Sequence, residues 1–285
     1  MLINDLNSII NSNTNTNPLY MRNLLKEALQ TYTLNFIYTS KWGQNFLFKG
    51  GTCLRYCFEL PRLSEDLDFD LKNYNNLDQT SFLTDLENYF KKTQQISKFS
   101  YRIAGNDRQI FLQFPILGEP KLLFLRLDLA PIDSKIYTEE LSLKTSLNFS
   151  FLMKRYSLPD LFASKITAIL SRTYFKGKNN EITFKGRDYF DLVWFLQKGV
   201  YPNTKRLSDL LKQDLSFIWN QVDKNVENLN INYLKEDLSP LFSDQVFVNN
   251  FCQNLKQMYT QEKKKLEAAG AQGGFLISQP NSPIV

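Results

Sequence analysis

Three acidic residues at alternate positions, Asp66, Asp68 and Asp70, close the stretch FLFKGGTCLRYCFELPRLSEDLDFDL that runs from Phe46 to Leu71. Leu67 and Phe69 between them predict a strand with one apolar face, and its two-residue period aims the carboxylates together at the other face. Carboxylates confined in this way repel one another, and a bound cation relieves the repulsion. Oxygen ligands suit Mg2+, with Mn2+ as a substitute. Mg2+ takes one or two protein carboxylates and fills its shell with water and substrate phosphates. Upstream, Gly50 and Gly51 allow the backbone a positive φ and a close approach to a ligand. Their N–H groups, with a helix predicted over Thr52–Leu60 behind them, form an anion-binding hollow. One segment therefore offers a phosphate cradle and a metal clamp.

Composition narrows the chemistry further. The chain has 285 residues, 43% hydrophobic and 22% charged, as in an ordinary soluble protein long enough for two lobes. No run approaches the ~20 consecutive apolar residues that span a bilayer. The start MLINDLNSII has an acidic residue and no basic region, so the expected location is the cytoplasm. Histidine is absent, which excludes Ser-His-Asp and Cys-His nucleophile systems, HExxH zinc sites and an imidazole base. Cys53 and Cys57, one helical turn apart, read as small buried apolar residues rather than disulfide partners or zinc ligands. Acid–base work falls to carboxylates, lysines, tyrosines or metal-bound water.

Periodicity gives the elements that must position these groups. Residues 1–18 form an Asn- and Ser-rich N-terminal segment. Apolar residues recur at three- and four-residue intervals from Leu19 to Trp42, a long amphipathic helix that leads into a short buried strand at Phe46–Phe48. Thr80–Thr93 predicts a helix. Phe99–Ile103, Gln109–Phe114 and Lys121–Leu129 predict successive antiparallel strands that extend the sheet of Asp66 and Asp68. In the last of these, Asp128 falls on the polar register with Arg126, a placement that fits a simple surface ion pair. Residues 131–156 read as irregular, with a short strand near Asn148–Met153. Pro159 and Asp160 mark the first turn of a helix, Pro159–Arg172, that carries Lys165 among its core positions. A lysine so placed can snorkel to solvent. A helix from Lys185 to Gln197 sets Asp188 and Asp191 on one face near its N-terminus. Further helices are predicted over Thr204–Lys212, Ser216–Val222, Asn232–Leu241 and Asp244–Lys265. The expected class is α/β (α+β): a core at 19–156, a helical lobe at 157–267 and a flexible tail at 268–285.

The string Lys49-Gly50-Gly51-Thr52, then Leu54, then Arg62-Leu63-Ser64-Glu65-Asp66-Leu67-Asp68-Phe69 resembles the signature of the AbiEii/AbiGii toxin family. That family belongs to the DNA polymerase β-like nucleotidyltransferases. Over Phe46–Leu196 the resemblance implies a nucleotidyltransferase core with a mixed or antiparallel sheet. It makes Asp66, Asp68 and Asp128 the metal carboxylates, and Asp128 the group that draws the proton from the attacking hydroxyl. It puts Lys49, Gly50, Gly51, Thr52, Arg62 and Ser64 at the nucleotide. The string DLFASKITAIL, with Lys165, resembles the family helix whose lysine meets the triphosphate. The element RDxxDL adds an active-site aspartate: Asp188 is the first choice and Asp191, beside the nucleotide, the second.

Charge points to the acceptor. From Lys154 to Asp188, eight Lys/Arg stand against three Asp/Glu, an excess of five that equals the net +5 of the whole chain. Lys176, Lys178, Lys185 and Arg187 in this region suit a polyanion such as RNA, although a solvated basic loop has the same composition. The resemblance implies a toxin of a type IV-like toxin–antitoxin or abortive-infection system, active in phage defence. Such a toxin moves NMP from an NTP to RNA, at the 3′ end of tRNA, and blocks translation. A separate antitoxin with a winged-helix DNA-binding part is implied as partner, and no membrane. Two other functions fit the same residues: nucleotidylation of a protein or small-molecule hydroxyl, and non-catalytic binding of nucleotide or RNA.

Overall fold

The computed structural model describes residues 2–14, 16–106, 108–115, 122–146, 148–172 and 184–271. Helix α1 (Leu2–Ser12) packs on α2 (Pro18–Thr39). The second helix starts where Asn17 Oδ1 accepts from Leu19 N at 2.8 Å and Pro18 takes the first helical position. Strand β1 (Phe46–Lys49) turns directly into α3 (Gly50–Phe58), so the two glycines open the helix predicted to begin at Thr52. Strand β2 (Asp66–Leu71) then returns antiparallel beside β1. Asp78 caps α4 (Gln79–Asn88), which ends in a π-type turn over Tyr89–Thr93. A meander of β3 (Ser100–Ala104), β4 (Gln109–Pro115) and β5 (Leu122–Pro131) follows, then a hairpin of β6 (Glu139–Thr145) and β7 (Ser150–Tyr156).

These strands form one mixed sheet in the order β3-β4-β5-β2-β1-β7-β6. Two features differ from the sequence expectation. Strand β5 runs parallel to β2, not antiparallel. Alternation assigns a residue to a face but says nothing about the direction of the neighbouring strand. The stretch 131–156, expected to be largely irregular, holds the β6–β7 hairpin, and β7 lies parallel to β1. Leu141, Leu143 and Leu152 are more than half exposed at this sheet edge, so apolar residues occupy both faces and the usual alternation is hidden.

One sheet face is the core. Phe46 and Phe69 meet edge to face at 5.2 Å, and Phe82 of α4 packs tilted against Phe46 while Phe36 of α2 reaches Phe82. The other face carries Asp66, Asp68, Asp70, Arg126 and Asp128. Helices α5 (Leu158–Ser171), α6 (Gly186–Gln197) and α7 (Thr204–Leu211) lie across part of it; the Arg206 guanidinium of α7 sits 4.8 Å above the Tyr156 ring. Fully buried Asp160 fastens this roof. It accepts from the Ser157 hydroxyl at 2.6 Å, Thr138 N at 2.8 Å and Asn203 Nδ2 at 2.7 Å. Helices α8 (Leu215–Glu227), α9 (Ile231–Leu238) and α10 (Gln245–Ala271) complete the helical part. The last helix runs through 268–271, into the segment expected as a tail, and residues 272–285 lie outside those described. Among the described residues, no helix is long and apolar enough to cross a membrane.

Candidate active site

The β1–α3 turn is built around contact with the carboxylates. Gly50 has φ +79°, and a Cβ there would stand 2.1 Å from Asp68 Oδ2. A Cβ on Gly51 would stand 2.6 Å from Arg62 Nη2 and 3.2 Å from Ser64 Oγ. Both positions therefore exclude a side chain. Thr52 is fully buried and its hydroxyl donates to the Asp66 carbonyl, tying α3 to β2. Of the three residues expected to form the cradle, Gly50 and Gly51 line the cavity, and the Thr52 side chain is engaged with β2 instead.

Parallel pairing of β2 and β5 puts Asp68 directly opposite Asp128, and Asp66 opposite Arg126. The Arg126 guanidinium reaches both acids: Nη2 meets Asp66 Oδ2, and Nε lies 3.0 Å from Asp128 Oδ2. The expected Asp128–Arg126 pair is present, and it sits inside a cavity rather than on an outer surface. Burial, joined by the Asp68 charge, pushes the Asp128 carboxyl up to about 6 against the pull of Arg126. Asp66 is raised as well, first by burial. The third alternating aspartate, Asp70, is fully buried under the site, where Lys49 Nζ at 2.5 Å and the Tyr156 hydroxyl at 2.6 Å hold it.

From the helical side comes a buried ionic network. Lys165 Nζ lies 2.8 Å from Asp188 Oδ1 and 2.7 Å from Asp191 Oδ2. Arg62, 1% exposed, grips Asp191 with Nε at 2.6 Å and Nη2 at 2.7 Å. Arg172 Nη1 completes the pair on Asp188 at 2.6 Å. Burial alone would raise the Asp188 carboxyl, but Lys165 and Arg172 outweigh it and hold it down at about 2. Arg187 pairs with Glu65 and approaches Asp66 Oδ2 at 3.8 Å.

All of this frames one cavity of about 470 Å3. Its sheet side presents Lys49, Gly50, Gly51, Asp66, Asp68 and Asp128, with Arg62 and Ser64 beside them. Its helical side presents Lys165, Arg172, Lys185, Arg187 and Asp188. Asp188 therefore reaches the cavity, while Asp191 stands behind the wall as the anchor of Arg62 and Lys165. Lys176 and Lys178 lie outside the described residues. Seven Lys/Arg and five Asp line the walls, and three of the cations, Lys49, Arg62 and Arg187, are paired with Asp70, Asp191 and Glu65 behind them. Burial, with Arg187 and Arg172 nearby, lowers Lys185.

The residues fit a divalent cation by donor type and by one orphaned atom: Asp128 Oδ1 is buried with no hydrogen-bond partner. Among the described residues no group of three ligating side chains is already assembled for a metal. The Arg126 guanidinium stands between Asp66 and Asp128 and supplies the compensating charge. Sequence reasoning did not single out Arg172 or the clamp of Arg126. Arg172 had a signal, since it follows Lys165 by two helical turns and so shares its face. The Arg62–Asp191 tie spans |i−j| = 129 and had none.

A strand that turns at two glycines into a helix, then an Asp-x-Asp strand flanked by a third aspartate, defines a polymerase β-like nucleotidyltransferase fold. The chain belongs to the AbiEii family of nucleotidyl transferase toxins from type IV toxin–antitoxin systems, whose profile matches residues 34–268. No curated protein matches the sequence. Among solved structures, JHP933 from Helicobacter pylori is 17% identical with a TM-score of 0.53, over 88% of this chain and 95% of that one. A second H. pylori structure, described as a candidate nucleotidyltransferase, is also 17% identical, with a TM-score of 0.50 over 86% of this chain and 96% of the other. At this identity the likeness concerns the fold.

Proposed function

We propose that this chain transfers NMP from an NTP to the 3′ end of an RNA, with tRNA as the acceptor, and that the added nucleotide blocks translation. The observation that carries this reading is the direct opposition of Asp68 and Asp128 beneath a Gly50–Gly51 turn, in a cavity walled by cations. Asp66, Asp68 and Asp128 would hold Mg2+, or Mn2+, which when bound neutralises charge on the triphosphate.

The chain's own residues do the rest. The Gly50 and Gly51 backbone sits at the N-terminus of α3, where N–H groups favour phosphate oxygens. An ammonium has three donors; Asp188 and Asp191 engage Lys165 in two ion pairs, which leaves capacity for a phosphate oxygen. Arg172 and Arg187 add positive charge where pyrophosphate would leave. Asp128 accepts the proton of the attacking hydroxyl at Oδ1, the buried oxygen that has no hydrogen-bond partner. Positioning and electrostatics suffice for this class of transfer. The reaction takes place in the cytoplasm, and the cognate antitoxin is a separate protein with a winged-helix part.

Purified protein incubated with total bacterial RNA, Mg2+ and each α-labelled NTP in turn should label a tRNA-sized band. The Asp66→Ala/Asp68→Ala variant should not. A labelled protein band with blank RNA would instead favour a protein hydroxyl as acceptor.

A further inference from the structure

The sheet face that carries the carboxylates continues beyond the cavity, and among the described residues no helix covers it there as α5 and α6 cover the site. Along β5, Asp128, Arg126, Phe124 and Leu122 share this face. Across β4 they meet Gln109, Phe111, Gln113 and Pro115 in turn, and Arg102 of β3 stands opposite Phe111. The opposite face of β4 and β5 is fully packed, with Leu123, Leu125, Leu127, Ile110, Leu112 and Phe114 at most 1% exposed, while at the β3 edge Tyr101 and Ile103 on that face are exposed. A sheet with one packed face ordinarily turns polar side chains to water on the other. Here Phe124 is 36% exposed and Leu122 37%, while Phe111 is half-buried beneath the Arg102 guanidinium, 4.7 Å from its ring centroid.

A single exposed phenylalanine carries little meaning. Three further observations give this group a direction. It is continuous with the site, because Gln109, Arg126 and Asp128 line the cavity. Apart from Asp128, no acidic residue shares this face of β3, β4 or β5, and Arg102 and Arg126 stand on it. Phe124 lies four residues from Asp128, about 13 Å along an extended strand, so a chain ending at Asp128 would pass over it. Exposed rings on a sheet, an arginine plane and side-chain amides are the means by which proteins hold unpaired bases.

We propose that the open face of β3, β4 and β5, centred on Phe111 and Phe124, is a stacking platform for the single-stranded 3′ end of a nucleic-acid acceptor. The platform feeds the terminal hydroxyl to Asp128, and this step rests on the transfer reading above. One base stacks on Phe124 and the next on the Arg102 guanidinium plane that Phe111 supports from beneath, and Gln109 and Gln113 supply hydrogen bonds to base edges.

The test is the anisotropy of a short 5′-fluorescein-labelled single-stranded oligoribonucleotide, without NTP, on wild type and on Phe124→Leu, Phe111→Leu and Phe124→Trp. Loss of one stacked base should weaken binding about 5- to 150-fold in each leucine variant, while Phe124→Trp should bind at least as well as wild type. The melting-temperature rise with a non-hydrolysable NTP should be the same in all four proteins, which separates lost stacking from misfolding. Oligonucleotide binding unchanged in both leucine variants, or absent from wild type, overturns the platform. So does a loss that affects only a protein acceptor, because the face would then be a protein-docking surface. If wild type binds the oligonucleotide through these rings but labels no RNA, the platform stands and the transfer reading falls.

Discussion

Asp191→Asn should strip the site of its buried anchor without changing a side-chain shape. Asp191 is fully buried, and its two oxygens serve two cations: Arg62 through Nε and Nη2, and Lys165 through Nζ. Burial would raise its carboxyl, yet Arg62 and Lys165 hold it below the usual range, so the charged form is what the fold uses. After the substitution Lys165 keeps Asp188, but Arg62 keeps only neutral acceptors, the Leu63 carbonyl at 2.9 Å and the single amide oxygen at position 191, and no carboxylate. Removing one partner of a buried ion pair costs about 3–5 kcal/mol, because a charge is left in a poorly solvating interior. For a chain of this size, ~2–4 °C per kcal/mol converts that to a fall in Tm of roughly 6–20 °C. Melting followed by circular dichroism at neutral pH measures it. Replacing both partners, Arg62→Met with Asp191→Leu, should recover much of the loss, since apolar substitution of a buried pair is often neutral. A single variant that melts with wild type, or a double variant no better than the single, would refute the view that Asp191 carries Arg62.

Other consequences follow from the same geometry. Gly50→Ala places a Cβ against Asp68 in a left-handed backbone, so transfer should be lost with a strain cost of about 1–3 kcal/mol; incorporation and Tm measured together check both. Arg126→Met removes the cation between Asp66 and Asp128, so Tm in EDTA should fall and added Mn2+ should raise it more than in wild type. Asp188, at about 2 against an ordinary 3.8, binds its proton less readily in the folded chain than in the unfolded one. Its contribution of about 2 kcal/mol is complete above pH ~4 and is lost as pH falls towards ~2. Urea midpoints taken stepwise down in pH should show this loss in wild type and not in Asp188→Asn.

Much of the site was legible because its parts are local. The Lys49–Thr52 turn, the alternation through Leu67 and Phe69, and the position of Lys165 on its helix each depend on a few neighbouring residues. What was not legible depends on residues far apart. The parallel pairing that opposes Asp68 to Asp128 follows from how a meander docks on β2, which alternation does not encode. The Arg62–Asp191 fork joins two lone charged residues, neither of which has a periodic signature. Arg126 looked like a surface partner of Asp128 because the sequence gives the face and not what covers it. The β6–β7 hairpin was hidden by leucines that face water at the sheet edge.

The most direct test of the account is to offer purified wild type and Asp68→Ala the same NTP labelled at the α- or the γ-phosphate, with tRNA bearing a 3′-hydroxyl. Nucleotidyl transfer predicts α-label in the RNA with wild type only, and no γ-label with either protein. A γ-label in the RNA, or an α-label that survives Asp68→Ala, would contradict it.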